Sequence, residues 1–376
     1  MKIALVASAP IPSKAANSIQ VMKMAQAYKA LGHQLEVFVP RGSQPVRWED
    51  FSKHYGLRDK FPIAEVPTRR IFRGYDYALA TTRFIRKNQF DLVHTRHPQT
   101  AAWAAYNEIP SIFELHDLPS GAMGPRLLKT FLASKDASAL IVITQALAKA
   151  LTNKYPKVNK ATNIQVLPDG IDLQRYTDLP SASKARKRLE FPEAFTVGYT
   201  GHLYSGRGTD LVLELAELLP DIRFVLVGGE EKAVASIRNL STARGLSNVN
   251  VIGFVPNADL ALYQAASDIL IMPYQVRVSA SSGGDISSFL SPMKMFEYMA
   301  ASRPILASHL PVFEEVLNSN NAVLLPPDNV PAWSEAIKNI QSEPSLAMSL
   351  AAHARQDVSQ YTWEKRAQAI LDSLSH

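Results

Sequence analysis

The sequence contains no cysteine. That absence excludes a disulfide framework, thiolate catalysis and any cysteine-ligated metal, and it suits a reducing cytosol. No stretch approaches the ~18 unbroken apolar residues of a membrane-spanning helix, and there is no short internal repeat that would build a solenoid. The opening MKIALVASAPIPSK has an apolar run too short for a secretory leader, and it reads as a buried first strand. What remains is a chain of 376 residues, 47% hydrophobic and 20% charged, with the composition of a globular protein. That length exceeds one ordinary core and suits two α/β domains on a prior of ~150 residues each.

Charge is distributed unevenly. Residues 1–180 carry 24 Lys and Arg against 14 Asp and Glu, whereas residues 181–376 carry 16 against 20. A basic first half suggests an anionic partner such as a membrane surface, a phosphorylated lipid, an acidic polymer or nucleic acid. The alternative is a solvated basic surface with no partner. No nucleic-acid-binding motif accompanies the basic residues, so nucleic acid is the weakest of these readings.

The hydrophobic period alternates along the chain. KIALVAS, QLEVFVP, DLVHTR, SIFELHD, ALIVIT and IQVLPDG read as strands. NSIQVMKMAQAYKALGH, QTAAWAAYNE and RLLKTFLASKDA read as helices. The stretch 170–192 lacks strand character and reads as a join. A second series then runs from FTVGYTG to VPAWSEAIKNIQ and includes a helix expected over PVFEEVLN. Such alternation argues for an α/β protein of two Rossmann-like, doubly wound parallel-sheet domains with a cleft for ligands at the C-terminal strand edges. The expected bounds are 1–175 and 190–357, with a closing amphipathic helix over 358–376.

Two loops carry the chemistry. GYTGHLYSGRGTD follows a strand and precedes a helix. Its glycines permit close backbone approach, Arg207 offers a forked cation and His202 a second donor, which together suit a phosphate. The spacing is not the dinucleotide pattern, so a nicotinamide cofactor is disfavoured. The second loop leads into SPMKMFEYMAASRPILAS, where Pro292 suits a helix start. The first-turn amides near Leu290 and Ser291 are candidates for diphosphate or sugar oxygens. Glu297, one turn in, is suited to accept hydrogen bonds from a ribose diol. On spacing alone, a surface glutamate paired with Lys294 or Arg303 is the simpler reading.

In combination, GHLYSGRGTD, VIGFVPNADLALYQAASDILIMPY and SPMKMFEYMAASRPILAS resemble the C-terminal domain of family-4 retaining glycosyltransferases of the GT-B fold. The resemblance extends through VLPDGIDLQRY, FELHD and the first forty residues, and so covers nearly the whole chain. It implies that Arg207 holds the donor diphosphate, with His202, Leu290 and Ser291 beside it, and that Glu297 binds the nucleotide ribose. Gly253, Phe254 and Val255 correspond to the turn whose backbone reads the base. His116 corresponds to a histidine near the donor sugar, with Asp117 orienting it or its loop. Asn17 and Ser18 stand where many members carry paired glycines in the acceptor loop. The family's acid partner to Glu297 falls eight residues upstream, where this chain has Phe289. Asp285 is the candidate to replace that donor-sugar contact.

The activity so implied moves a sugar from a nucleoside diphosphate, UDP or GDP, to a hydroxyl of a glycan, lipid or small molecule with retained configuration. The sequence has no D-x-D motif, and no metal and no cofactor beyond the donor is expected. The enzyme would be cytoplasmic or peripheral at the inner membrane face. RRIFRGYDYALATTRFIRKNQ, together with Lys149, Lys154, Lys157 and Lys160, is the candidate membrane contact. The alternative is an ordinary surface whose aromatics face the core. Rival functions are a GT-B sugar-nucleotide epimerase or hydrolase, and a non-catalytic two-domain sugar binder, which the missing export signal disfavours.

Overall fold

The structure is a computed structural model that describes every residue except 43–46, 157, 159–162, 280–283 and 375–376. Lys157 and Lys160 therefore lie outside the described residues. The chain divides into two compact units, Met1–Asp169 with Trp363–His376, and Gly170–Thr362.

The first unit is built on β1 (Lys2–Val6), β2 (Gln34–Pro40), β3 (Ile63–Val66), β4 (Leu92–Thr95), β5 (Ser111–Leu115), β6 (Ala137–Val142) and β7 (Ile164–Val166). They form one sheet in the order β3-β2-β1-β4-β5-β6-β7, parallel at every pairing. The inner strands β1, β4, β5 and β6 are buried on both faces and largely apolar, which is why they were readable, whereas the edge strands β3 and β7 are only partly buried. Around them lie α1 (Ala16–Ala30), α2 (Trp48–Tyr55), α3 (Tyr75–Lys87), α4 (Pro98–Tyr106), α5 (Gly124–Leu132) and α6 (Gln145–Lys154). Thr144 starts α6 by accepting the Leu147 N–H. One side of the core joins Ala4, Val6, Phe38, Tyr77, Ile85 and Val93.

The second unit holds β8 (Thr196–Thr200), β9 (Arg223–Val227), β10 (Val249–Gly253), β11 (Ile269–Met272), β12 (Ile305–Ser308) and β13 (Val323–Leu325). Their order is β10-β9-β8-β11-β12-β13, again all parallel. Its helices are α7 (Ala182–Arg188), α8 (Thr209–Leu218), α9 (Glu231–Ala243), α10 (Asn257–Ala265), α11 (Met293–Ala300), α12 (Val330–Ser342) and α13 (Pro344–Asp357). Trp333 is fully buried in the core, and its indole N–H donates to the Pro326 carbonyl at 2.9 Å. In both units the strand order reverses beside the first strand, between β1 and β4 and between β8 and β11. Open α/β sheets bind ligands at such reversal points.

Several details depart from expectation. The stretch 170–192, read as a join, carries α7 within the second unit. Arg186 ties that helix to the sheet, donating to Asp268 at 2.9 Å, while Asp268 also accepts the Thr196 N–H. The helix expected over PVFEEVLN is a run of turns. There the amides of Val316 and Leu317 both reach the Phe313 carbonyl, mixing two hydrogen-bond periods, and Asn321 holds the following turn. Pro292 precedes α11 as its N-cap instead of opening its first turn. The last helix, α14 (Trp363–Asp372), packs on α1 in the first unit.

Candidate functional site

In the second unit the chemistry gathers where β8 ends. Gly201 follows it with φ 132°, a conformation that side-chain-bearing residues avoid. A methyl group here would lie 2.6 Å from the Lys294 ammonium. Glycine thus leaves room for the second residue of α11 to reach under the loop. Lys294 is only 9% exposed, and its Nζ lies 3.7 Å from the centre of the Tyr199 ring and 5.3 Å from that of Tyr274. Arg207 stands over the same Tyr274 ring at 4.7 Å. Gly208 closes the loop with its α-carbon so near the Pro273 carbonyl that a methyl group would come within 1.8 Å of it.

Lys294 Nζ, Arg207 Nε and Ser291 Oγ are buried and have no hydrogen-bond partner. Burial, reinforced by the charge of Arg207 and opposed by that of Glu297, holds the Lys294 ammonium well below the usual lysine range. Leu290 is buried beside Ser291. Glu297 is half-buried and accepts from the Gln264 amide at 3.2 Å. Gln264 also donates to Thr200 Oγ1 at 3.2 Å and accepts from the Tyr176 hydroxyl at 2.9 Å. This fixes Glu297 relative to the end of β8. It is not the surface ion pair considered above, because Arg303 donates to the backbone carbonyls of Ser267 and Ala265.

The remaining expected residues of this unit lie around the same strand ends or on their loops. The His202 ring stacks on Tyr204, 4.8 Å apart and nearly coplanar, and its carbonyl accepts the Tyr199 hydroxyl. Gly253 has φ 95° and its carbonyl accepts the Gly228 N–H. Phe254 next to it is exposed and Val255 half-buried. Asp285 is exposed, and one carboxylate oxygen accepts the amides of Val278 and Ser287, each at 3.0 Å. These bonds hold its carboxyl below the usual range. Asp285 thus organises its own loop, and Phe289, half-buried, follows in a turn to Ile286.

The first unit contains a constellation of the opposite kind. Glu114 is 1% exposed on β5. One oxygen accepts from Gln20 at 2.7 Å, from Arg366 at 3.0 Å and from the His116 ring. The other is bonded to His94 Nε2 at 2.9 Å and Arg366 at 3.2 Å. Burial alone would raise its pKa, but Arg366 and the histidines hold it well below the carboxylate range. The His94 ring is fixed at its other nitrogen by the Tyr28 hydroxyl at 3.0 Å. Arg366, on α14, also donates to the Leu167 and Pro168 carbonyls.

Around this ion pair lie His116, Asp169 and Arg96. Burial and the nearby Arg96 charge push the His116 imidazole down to about 4, so it is neutral at physiological pH. Asp169 is buried with one oxygen unpartnered, and burial pushes it up to about 7. Glu114, His116 and Asp169 each offer one ligand atom, and these atoms lie within 4.8 Å of one another. The charges of Arg366 and Arg96 act on the same groups, and two guanidinium ions oppose a divalent ion there. Asp117 is exposed and accepts the Leu118 N–H at 2.6 Å, so it shapes its loop while Glu114 holds the His116 ring. Asn17 and Ser18 open α1. The Ser18 hydroxyl donates to the Ser13 and Ala15 carbonyls, and Asn17 keeps a buried, unpartnered oxygen.

The basic aromatic segment divides its side chains. Tyr77 and Ile85 face the core, whereas Ile71 is 81% exposed and Phe72, Tyr75, Leu79 and Phe84 are also open to solvent. Lys149 and Lys154 are exposed on α6. Among the described residues no helix is long and apolar enough to cross a membrane.

Sequence reading missed Lys294 and the Glu114 network. An acid inside the apolar strand SIFEL was the available signal for the second. Lys294 resembles any surface lysine until Gly201 is seen above it.

Comparison with known proteins places these features in context. The profile of Glycosyltransferase Family 4 matches residues 18–175, and that of Glycosyl transferases group 1 matches residues 194–343. A D-inositol 3-phosphate glycosyltransferase of Jonesia denitrificans is 23% identical over 94% of this chain and 89% of its own. An alpha-monoglucosyldiacylglycerol synthase of Acholeplasma laidlawii is 22% identical over 98% of this chain and 95% of its own. Among solved structures, Anabaena HepE in complex with UDP-glucose superposes with a TM-score of 0.78 at 18% identity, covering 100% of both chains.

Proposed function

The chain belongs to glycosyltransferase family 4, of the glycosyl transferases group 1 and the GT-B fold, and from that premise we propose that it is a retaining, metal-independent enzyme using a UDP sugar. The observation that carries this reading is the link from Glu297 through Gln264 to Thr200, next to the Gly201–Arg207 loop. A ribose-binding carboxylate and a phosphate-binding loop are thereby held as one piece. The similar Anabaena HepE was solved with UDP-glucose, which supports a uridine donor.

In this mechanism Arg207 and the amides at the start of α11 stabilise the charge that grows on the leaving diphosphate. Glu297 accepts from the ribose hydroxyls. The neutral His116 imidazole, held by Glu114, is the first unit's candidate for a sugar contact. The diphosphate accepts the acceptor's proton on the face it leaves, which retains configuration. Arg207 supplies the positive charge that a divalent ion supplies elsewhere, so turnover is expected to persist in EDTA. His202, Leu290 and Ser291 complete the diphosphate site, and Gly253 to Val255 border the base.

The acceptor is a hydroxyl compound, and Asn17 and Ser18 are the first unit's candidates for contacting it. Ile71, Phe72, Tyr75 and Leu79, flanked by Arg69, Arg70 and Arg73, suit shallow insertion into an anionic membrane face. On this reading the enzyme is cytoplasmic and peripheral. Sedimentation with phosphatidylglycerol vesicles, but not phosphatidylcholine vesicles, is expected, and Ile71→Asp with Phe72→Asp weakens it.

A donor screen by thermal shift followed by turnover assays tests the whole reading. UDP and one UDP sugar should raise Tm, and transfer should require an acceptor. Rapid consumption of donor without acceptor would instead indicate an epimerase or hydrolase, and no shift with any nucleoside diphosphate would refute both.

A further inference from the structure

Lys294 has no evident structural task. It lies on the second position of a helix whose neighbouring residues, Met295 and Phe296, already bury apolar surface. Its Nζ has no hydrogen-bond acceptor, although the side chain is buried beyond nine-tenths. An unpaired buried ammonium is costly, so proteins keep one only where something repays it. The surroundings are arranged around the charge. Gly201 leaves the space that any other residue would fill, and Tyr199 and Tyr274 offer ring faces in place of a counter-ion.

Two further polar atoms of this unit also lack partners. Arg207 stands over the same Tyr274 ring with its Nε unsatisfied, and Ser291 Oγ, just before α11, is buried and unsatisfied. Two cations thus share the Tyr274 ring beside a loop that begins with a left-handed glycine, and a buried hydroxyl precedes the helix that carries one of them. The charged and titratable groups facing Lys294 are Arg207 from the loop after β8, Glu297 from α11, and the phenols Tyr199 and Tyr274. One Glu297 oxygen accepts from Gln264, and no hydrogen bond joins Glu297 to Lys294. The unmet requirement of the cluster is for an anion with several acceptor oxygens.

We propose that Lys294 is a direct ligand of the donor diphosphate, acting with Arg207 and Ser291. This rests on the nucleotide-sugar reading above and adds a residue to it. A second consequence concerns protons. The free ammonium is held below its ordinary range by burial and by Arg207, and a diphosphate would reverse the second influence. Binding then takes up a proton above the free-state value, and affinity falls as pH rises through that window.

The test is calorimetric titration of the full chain with UDP, inorganic pyrophosphate and uridine, comparing wild type with Lys294→Met, which keeps length and burial. The expected loss for UDP is roughly 10–150-fold, the range for a hydrogen bond to a charged group. Pyrophosphate binding weakens as well, and uridine binding stays unchanged. Tm of the unliganded variant rises, because an unpaired buried charge has been removed. A merely structural lysine would instead lower Tm on removal and affect uridine and UDP alike. Equal UDP affinity in wild type and Lys294→Met would overturn the proposal while leaving the donor reading intact. If wild type binds neither UDP nor GDP, the donor reading fails and this proposal with it. Gly201→Ala is a second variant that displaces Nζ without removing it, and the same selective loss of UDP and pyrophosphate is expected.

Discussion

Each unit buries a charged cluster at the carboxyl ends of its strands, and the two clusters are finished to different degrees. In the first unit both Glu114 oxygens are taken, by Gln20, His94, His116 and Arg366, while the neighbouring Asp169 keeps one oxygen unpartnered. In the second unit Lys294 Nζ, Arg207 Nε and Ser291 Oγ have no partner. Buried polar groups are nearly always satisfied. On the proposed reading the Glu114 pairing is a framework that holds rings and chain segments in place, and the unpaired cations are where the donor would supply the missing bonds.

The largest expected effect breaks the saturated cluster. Arg366→Ala leaves Glu114 buried without its counter-ion and frees the Leu167 and Pro168 carbonyls. Destabilisation of about 3–5 kcal/mol is expected, read by chemical denaturation. The second effect concerns the residues proposed to hold the donor. Arg207→Ala and Glu297→Ala each abolish the UDP-induced Tm shift, which for wild type corresponds to about 2.7 kcal/mol at a hundredfold excess over Kd. Their unliganded circular dichroism spectra match wild type.

A pH experiment sharpens the contrast inside the first unit. Asp169 is raised to about 7 and His116 lowered to about 4 in the folded chain. Between about 4 and 6.5 the unfolded state binds the extra proton at His116, so that residue makes stability rise with pH. The folded state holds the extra proton at Asp169, so that residue makes stability fall over the same window. The two slopes oppose each other. Asp169→Asn removes one, and its stability is expected to climb more steeply with pH there, by at most about 1.4 kcal/mol per unit. An unchanged profile would show that Asp169 does not titrate in this range. The smallest effect is Asp117→Asn, where only one local amide bond is at stake. Its stability stays within about 0.5 kcal/mol of wild type.

The two sheets were legible because parallel strands covered on both sides must be apolar throughout, as in KIALV and ILIM. β3 was missed because IAEV is a four-residue edge strand set between Pro62 and Pro67. α7 was missed because its Ala-Ser-Lys-Ala-Arg-Lys-Arg sequence shows charge, and its tether, Arg186 to Asp268, spans a distance in sequence that no window covers. PVFEEVLN misled because Leu310, Phe313 and Leu317 are spaced as on a helix and are all buried, yet turns place them there equally well. At the site, Gly201, Arg207 and Glu297 stood out by residue type. Lys294 did not, since nothing local distinguishes a lysine under a glycine from one in solvent. Arg366 and Glu114, 252 residues apart, meet only in the folded chain.

Hydrogen–deuterium exchange of the full chain with and without UDP tests the central contrast most directly. Protection is expected at residues 199–208 and 290–298, where the unpaired groups lie, with little change around Glu114 and Arg366. Protection confined to the Glu114 cluster, or absent from both regions at saturating UDP, would contradict the assignment of the unsatisfied cluster to the donor.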